Sequence, residues 1–153
     1  MANTTPARPE RRTRSVTMIK KLVQARTEML SLYNELASLK PFNDVEETSE
    51  VLGEFCASLV DYTANAHFQL YRYFAENRER RSDVYVVANR IYPRIVDITQ
   101  SVLDFNDKYD TDHQRHNLGN LEADLSLLGE HLAARIELED QLLDILSGSK
   151  AVA

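Results

Sequence analysis

Tryptophan is absent from these 153 residues, cysteine occurs once, and glycine and proline number only four each. So few turn-forming residues leave too little punctuation for a sandwich or barrel of short strands, and β-branched residues do not alternate with polar ones. The single thiol, Cys56, excludes an internal disulfide and fits a reducing compartment. No apolar run approaches the ~20 residues of a membrane span, and no apolar signal-peptide core opens the chain. Also missing are a phosphate-binding loop, a dinucleotide fingerprint, a nucleophile elbow and zinc-ligand spacing, so no catalytic signature is present. The expectation is a soluble, cytoplasmic protein that is not an enzyme and needs no cofactor or membrane.

Positive charge is also scarce beyond the first stretch. Residues 1–21 carry six basic side chains against Glu10, for +5, and the remainder carries −11, giving −6 overall. An acidic body repels phosphates, so direct DNA binding is not expected; a basic partner suits it better, including a protein that itself binds DNA.

What is present is helical periodicity. Residues 1–15, with Pro6, Pro9 and four arginines, read as a flexible basic arm. A first helix is expected from Ser15–Thr17 to just before Pro41, with Ile19, Leu22, Val23, Met29, Leu30, Tyr33 and Leu36 on its apolar stripe. Thr48 or Ser49 reads as the cap of a second helix, supported by Glu47 and Glu50 at its positive end. A third runs from about Asp83 to Tyr109, with Pro93 inside it predicting a kink or a break. A polar loop, Asp110 to Asn117, precedes a last helix from about Leu118 to Leu146. Residues 148–153 read as a disordered tail, leaving one domain over 16–147. The expected fold is all-α, an antiparallel up-and-down four-helix bundle with long helices.

The second helix organises the rest. At about 100° per residue, Leu52, Phe55, Cys56, Leu59, Thr63, Ala66, Leu70, Tyr73 and Phe74 fall on one core-like stripe. The opposite arc collects Ala57, Asp61, Ala64, Phe68 and Ala75, small and flat with one acid and one ring. Such an arc either receives another molecule or lies under another helix of the same chain; spacing alone does not choose. Arg26, Arg135 and Glu139 stand where leucines would be expected, and His67 lies at a stripe edge. Together these four predict an interior polar layer, because buried charges need partners. A di-iron carboxylate site would need Glu-x-x-His on two helices, and none occurs; His113 and His116 sit in a loop without a second ligand cluster, so no metal is expected. The helices are too long for a helix-turn-helix reader.

Several motifs are shared with one family. The second helix carries Phe55-Cys56, Ser58-Leu59-Val60-Asp61-Tyr62, His67-Phe68 and Tyr71. The third carries Ile91-Tyr92-Pro93, Thr99-Gln100 and Leu103-Asp104. The fourth carries Leu125 through Gly129-Glu130, Ala134-Arg135 and Leu138-Glu139-Asp140 to Leu142. Arg26, Leu30, Tyr33, Leu36 and Lys40-Pro41 match in the first. Over Thr17 to Leu146, this pattern resembles the Rsd/AlgQ regulators of sigma D, bacterial anti-sigma factors.

The resemblance implies a helical bundle that binds the housekeeping sigma factor of RNA polymerase. The partner's C-terminal, promoter-reading domain would be held away from core polymerase and from promoter DNA. The implied contact positions are Asp61, Ala64 and Phe68, and Tyr71 and Ala57 extend that surface. Ala64 stands where a small hydroxyl residue is expected, and Lys20-Lys21-Leu22 where an Asp-Arg-Trp run is usual. The chain is expected to be a monomer or weak dimer. The alternatives are an adaptor for a metabolic or stringent-response enzyme, or a ligand receptor built on the Arg26, His67, Arg135 and Glu139 layer.

Overall fold

Arginine and glutamate favour helix, and proline is tolerated in a helix's first turn, where its missing N–H has no partner to lose. Helix α1 (Arg8–Ala37) accordingly begins at Arg8 with Pro9 in its first turn, so residues 8–15 are helical rather than part of an arm. The computed structural model describes the backbone of residues 8–77 and 82–146 and the side chains of 16–70, 86 and 88–145. The tail at 148–153 and the side chains of Tyr71, Tyr73, Phe74, Val84, Val87 and Leu146 lie outside the described residues.

Three further helices are long: α2 (Val45–Asn77), α3 (Ser82–Lys108) and α5 (Leu121–Leu146). The cap of α2 is Asp44, whose Oδ1 accepts from Glu47 N at 3.1 Å. Thr48 and Ser49 lie one turn further in and are buried, so the helix starts earlier than their hydroxyls imply. Helix α3 runs through the exposed Pro93 without a break. The polar loop is partly ordered as a single helical turn, α4 (Asp112–Arg115), closed by a capping box between Thr111 and Gln114. The last helix opens at Leu121, three residues later than its sequence pattern implies.

No strand occurs among the described residues. The closest-knit pairs are α1 with α2 and α3 with α5, joined through contacts of α2 with α3 and of α1 with α5. Cross-contacts run in opposite senses. Phe55 of α2 meets Phe105 of α3, and His67 meets Tyr92. Thr99 of α3 meets Arg135 of α5, and Lys108 meets Asp124. Arg26 of α1 meets Asp140 of α5, and Tyr33 meets Leu125.

The core follows the helical stripes. Leu52, Phe55, Cys56, Leu59, Thr63, Ala66 and Leu70 of α2 are all buried, as are Leu121, Leu125, Leu128, Leu132, Leu142 and Leu143 of α5. Each large apolar side chain buried this way contributes about 1.5–3 kcal/mol. Phe55 anchors the aromatic contacts, edge-on to Tyr33 at 5.8 Å and to Phe105 at 6.0 Å. Burial pushes the Cys56 thiol up to about 11, so it behaves as an inert apolar group. Gly129 of α5 makes room for Tyr33 of α1: a Cβ there would collide with Tyr33 Oη, which donates to Leu125 O at 2.9 Å.

Candidate functional site

Two consecutive residues of α2, Asp61 and Tyr62, lie in opposite environments. Tyr62 is buried and its hydroxyl lies 2.7 Å from both carboxylate oxygens of Glu139. Glu139, fully buried, also accepts from Arg26 Nη1 at 3.2 Å and lies 3.3 Å from Arg135 Nε, whose N–H donates to Tyr62 Oη at 3.4 Å. Arg26 Nη1 reaches Asp140 as well, at 2.8 Å. The Arg135 guanidinium, only 1% exposed, sits over the Tyr62 ring and donates to Thr99 Oγ1. Thr99 in turn donates to Ile95 O at 2.6 Å.

Two cations and two anions thus meet between α1, α2, α3 and α5, balanced in charge. Burial raises the Glu139 carboxyl above its ordinary range; Arg135, the Tyr62 hydrogen bond and Arg26 pull it back only in part. Burial, with Glu139 beside it, also raises Tyr62.

Arg26, Arg135 and Glu139 therefore come together, whereas His67 does not join them. It is exposed, and its Nδ1 pairs with Tyr92 Oη near the surface of α3. A residue at the border of a stripe can fall on either side, and this one falls on the exposed side. Tyr62 and Thr99 are further members of the layer, not marked by the apolar stripes. Tyr62 is one residue from Asp61 on the helical wheel's flank, and a threonine on a core stripe is a common tenant that needs no charged partner.

Asp61 lies in the opposite environment, and with Ala57, Ala64 and Phe68 it is exposed. Phe68 is 58% exposed, the most of any large apolar side chain among the described residues. The Asp61 carboxylate makes no hydrogen bond or ion pair among the described residues. The arc is a ridge between two grooves. On the α1 side, Asp61 and Ala57 line an open trough of about 600 Å³ with Glu28, Ser31, Glu54 and Ser58. On the α3 side, Ala64 lines a groove of about 340 Å³ with Val60, Tyr92, Val96 and Leu103, and Arg135 at its floor. The side chain of Tyr71, the remaining expected contact, lies outside the described residues.

Among the described residues, no group of three or more His, Cys, Asp or Glu side chains could hold a metal ion. No described helix is long and apolar enough to cross a membrane.

The model of a family described as regulator of RNA polymerase sigma(70) subunit, Rsd/AlgQ, matches residues 1–147. The chain belongs to the Rsd/AlgQ family. Among its relatives is a protein named Regulator of sigma D from Enterobacter sp. (strain 638), 30% identical over 129 residues, covering 82% of this chain and 78% of that one. Proteins of the same name from Yersinia pseudotuberculosis serotype O:1b (strain IP 31758) and Salmonella arizonae (strain ATCC BAA-731 / CDC346-86 / RSK2980) are 31% and 30% identical. They cover 82% of this chain, and 77% and 79% of their own length. No solved structure matches significantly.

The family is one of sigma-factor regulators, and the sequence features of transcription regulation, sigma binding and bacterial origin follow from membership. Within the Lys20-Lys21-Leu22 departure, Leu22 is buried and the two lysines are exposed. The leucine therefore fills core space, and the lysines add positive charge to the surface of α1.

Proposed function

We propose that this Rsd/AlgQ member is a cytoplasmic anti-sigma factor whose four long helices form an antiparallel up-and-down bundle. It captures the housekeeping sigma factor by its C-terminal, promoter-reading domain. It acts by binding, without chemistry and without touching DNA itself. Asp61 accepts a charge-assisted hydrogen bond from a sigma arginine, and Phe68 enters an apolar pocket of the partner. Ala57 and Ala64 keep the surface between them low enough for close approach. Covering the DNA-reading surface with an acidic one blocks the promoter by occupancy.

The observation that carries this reading is the state of the α2 arc. Its acid and its ring stand in solvent at the positions where the family resemblance implies sigma contacts, and the acid has no partner among the described residues. A ligand receptor built on the polar layer has less support, because Arg26, Arg135 and Glu139 are occupied with one another.

The test is titration of the isolated sigma C-terminal domain. Asp61→Ala and Phe68→Ala should each weaken binding by about 2 kcal/mol, roughly thirtyfold, with the helical circular dichroism unchanged. Wild-type affinity in both variants would remove this face from the mechanism.

A further inference from the structure

Half of the exposed large apolar side chains among the described residues gather on one side of the molecule. Of the eight, Val60 and Phe68 are on α2, and Val96 and Leu103 are on α3. Val96 and Leu103 are seven residues apart and so share one stripe of α3. Both are substantially exposed, at 48% and 36%, and both line the α2/α3 groove with Val60 and Ala64. Tyr92 and Leu103 bracket its α3 wall, and eleven residues of helix span about 16 Å, room for three turns of a second helix. None of the residues lining this groove is acidic. The trough on the other side of α2, one helix width away, holds Glu28, Glu54 and Asp61 around small side chains.

We propose that the sigma-docking surface is twice as wide as the α2 arc: an amphipathic helix of the sigma factor lays its apolar side into the α2/α3 groove. Basic residues beside that helix reach over the ridge of α2 to Asp61, Glu54 and Glu28. This rests on the sigma reading above and adds α3 and the acidic trough to it. Charge complementarity selects the occupant. A purely apolar helix would leave three carboxylates unused, and a second copy of this chain would bring its own net charge of −6 against them. A basic amphipathic helix satisfies both grooves at once, in the helix-in-groove mode with anchors on one face. Ala57 and Ala64 on the ridge between the grooves let the docked helix approach the α2 backbone.

The test uses the full chain and the sigma C-terminal domain, titrated across a salt series. Val96→Gln and Leu103→Gln place polar, helix-compatible side chains at exposed positions. Each should weaken binding about tenfold with an unchanged thermal midpoint. Glu28→Gln with Glu54→Gln should weaken binding severalfold and flatten its salt dependence. If Asp61→Ala and Phe68→Ala lose affinity while the α3 variants bind like wild type, the wider surface is wrong and the narrower one stands. If none of these variants loses affinity, the sigma-docking reading itself fails. If Val96→Gln leaves sigma binding intact but abolishes self-association in sedimentation, the groove is an interface between copies and the proposal is overturned.

Discussion

Asp61 and Glu139 are both carboxylates that contact or adjoin the same turn of α2, and they live under opposite rules. Glu139 is sealed in, held by two arginines and a tyrosine hydroxyl. Asp61 stands in solvent and has none of these. In low dielectric an unmatched charge is costly, so every member of the interior layer must be answered from within the chain. A surface carboxylate carries no such obligation, and its charge is available to a partner. The helices are joined through the first group, and the second is the one proposed for recognition.

Removing the interior charge is the harshest way to test that division. Glu139→Gln leaves Arg135 buried without its carboxylate, since Asp140 reaches only Arg26. A buried pair broken on one side costs about 3–5 kcal/mol, and urea denaturation should show a loss of that size. Affinity for the sigma domain, measured where the variant remains folded, should stay close to wild type. A variant with normal stability and lost binding would reverse the roles assigned to the two regions. Asp61→Ala and Phe68→Ala are the mirror case: about 2 kcal/mol of affinity, with folding stability within about 0.5 kcal/mol of wild type.

A milder cut falls inside the layer. Tyr62→Phe keeps the ring under the Arg135 guanidinium and removes only the hydroxyl that lies 2.7 Å from both Glu139 oxygens. With both arginines still in place, the expected loss is about 1–2 kcal/mol by equilibrium unfolding. A loss as large as that of Glu139→Gln would mean that the hydroxyl, and not the arginines, holds the carboxylate.

Much of this division was legible in the sequence. Leucine-sized gaps filled by Arg135 and Glu139 on an otherwise apolar stripe announced the layer, because burial and charge conflict unless paired. The small residues of the α2 arc announced an unusual surface, because a merely solvated face has no need to be flat. What periodicity left out is also physical. It places His67 at a boundary, where a rotation of a few tens of degrees decides between core and solvent, and the residue lies on the solvent side. Periodicity favours the hydroxyls of Thr48 and Ser49 as caps, although Asp44 offers a better acceptor at the real start of α2. Composition assigns residues 8–15 to a flexible arm, whereas Pro9 fits a first helical turn and the arginines extend it. The two grooves were invisible from one helix, since a groove belongs to a pair.

Exposure by itself does not separate the two regions; partners do, and His116 offers the finest test of that. It lies in the short connection after α4, half-buried. Its Nδ1 donates to Asp112 O at 2.7 Å, and its Nε2 lies 3.1 Å from Glu46 Oε1 at the start of α2. The Asp112 carboxylate is 3.8 Å from Nδ1, and Ser49 Oγ is 3.4 Å away. The backbone carbonyl of Asp112, outweighing what burial takes away, and then the charges of Asp112 and Glu46 raise the imidazole above its ordinary value of 6.5. A raised folded value means that the folded state holds the proton more tightly than the unfolded one. The stabilisation is therefore complete below the ordinary value and is lost as pH rises through the raised one. His116→Gln cannot take the charge, so its stability should fall less steeply than that of the wild type as pH climbs from below to above that window. Urea midpoints of the two proteins at matched pH values would show the curves converging on the alkaline side. Parallel curves would mean that the contact between the α4 turn and the start of α2 contributes nothing, and that partnered and unpartnered surface charges on this protein are energetically the same.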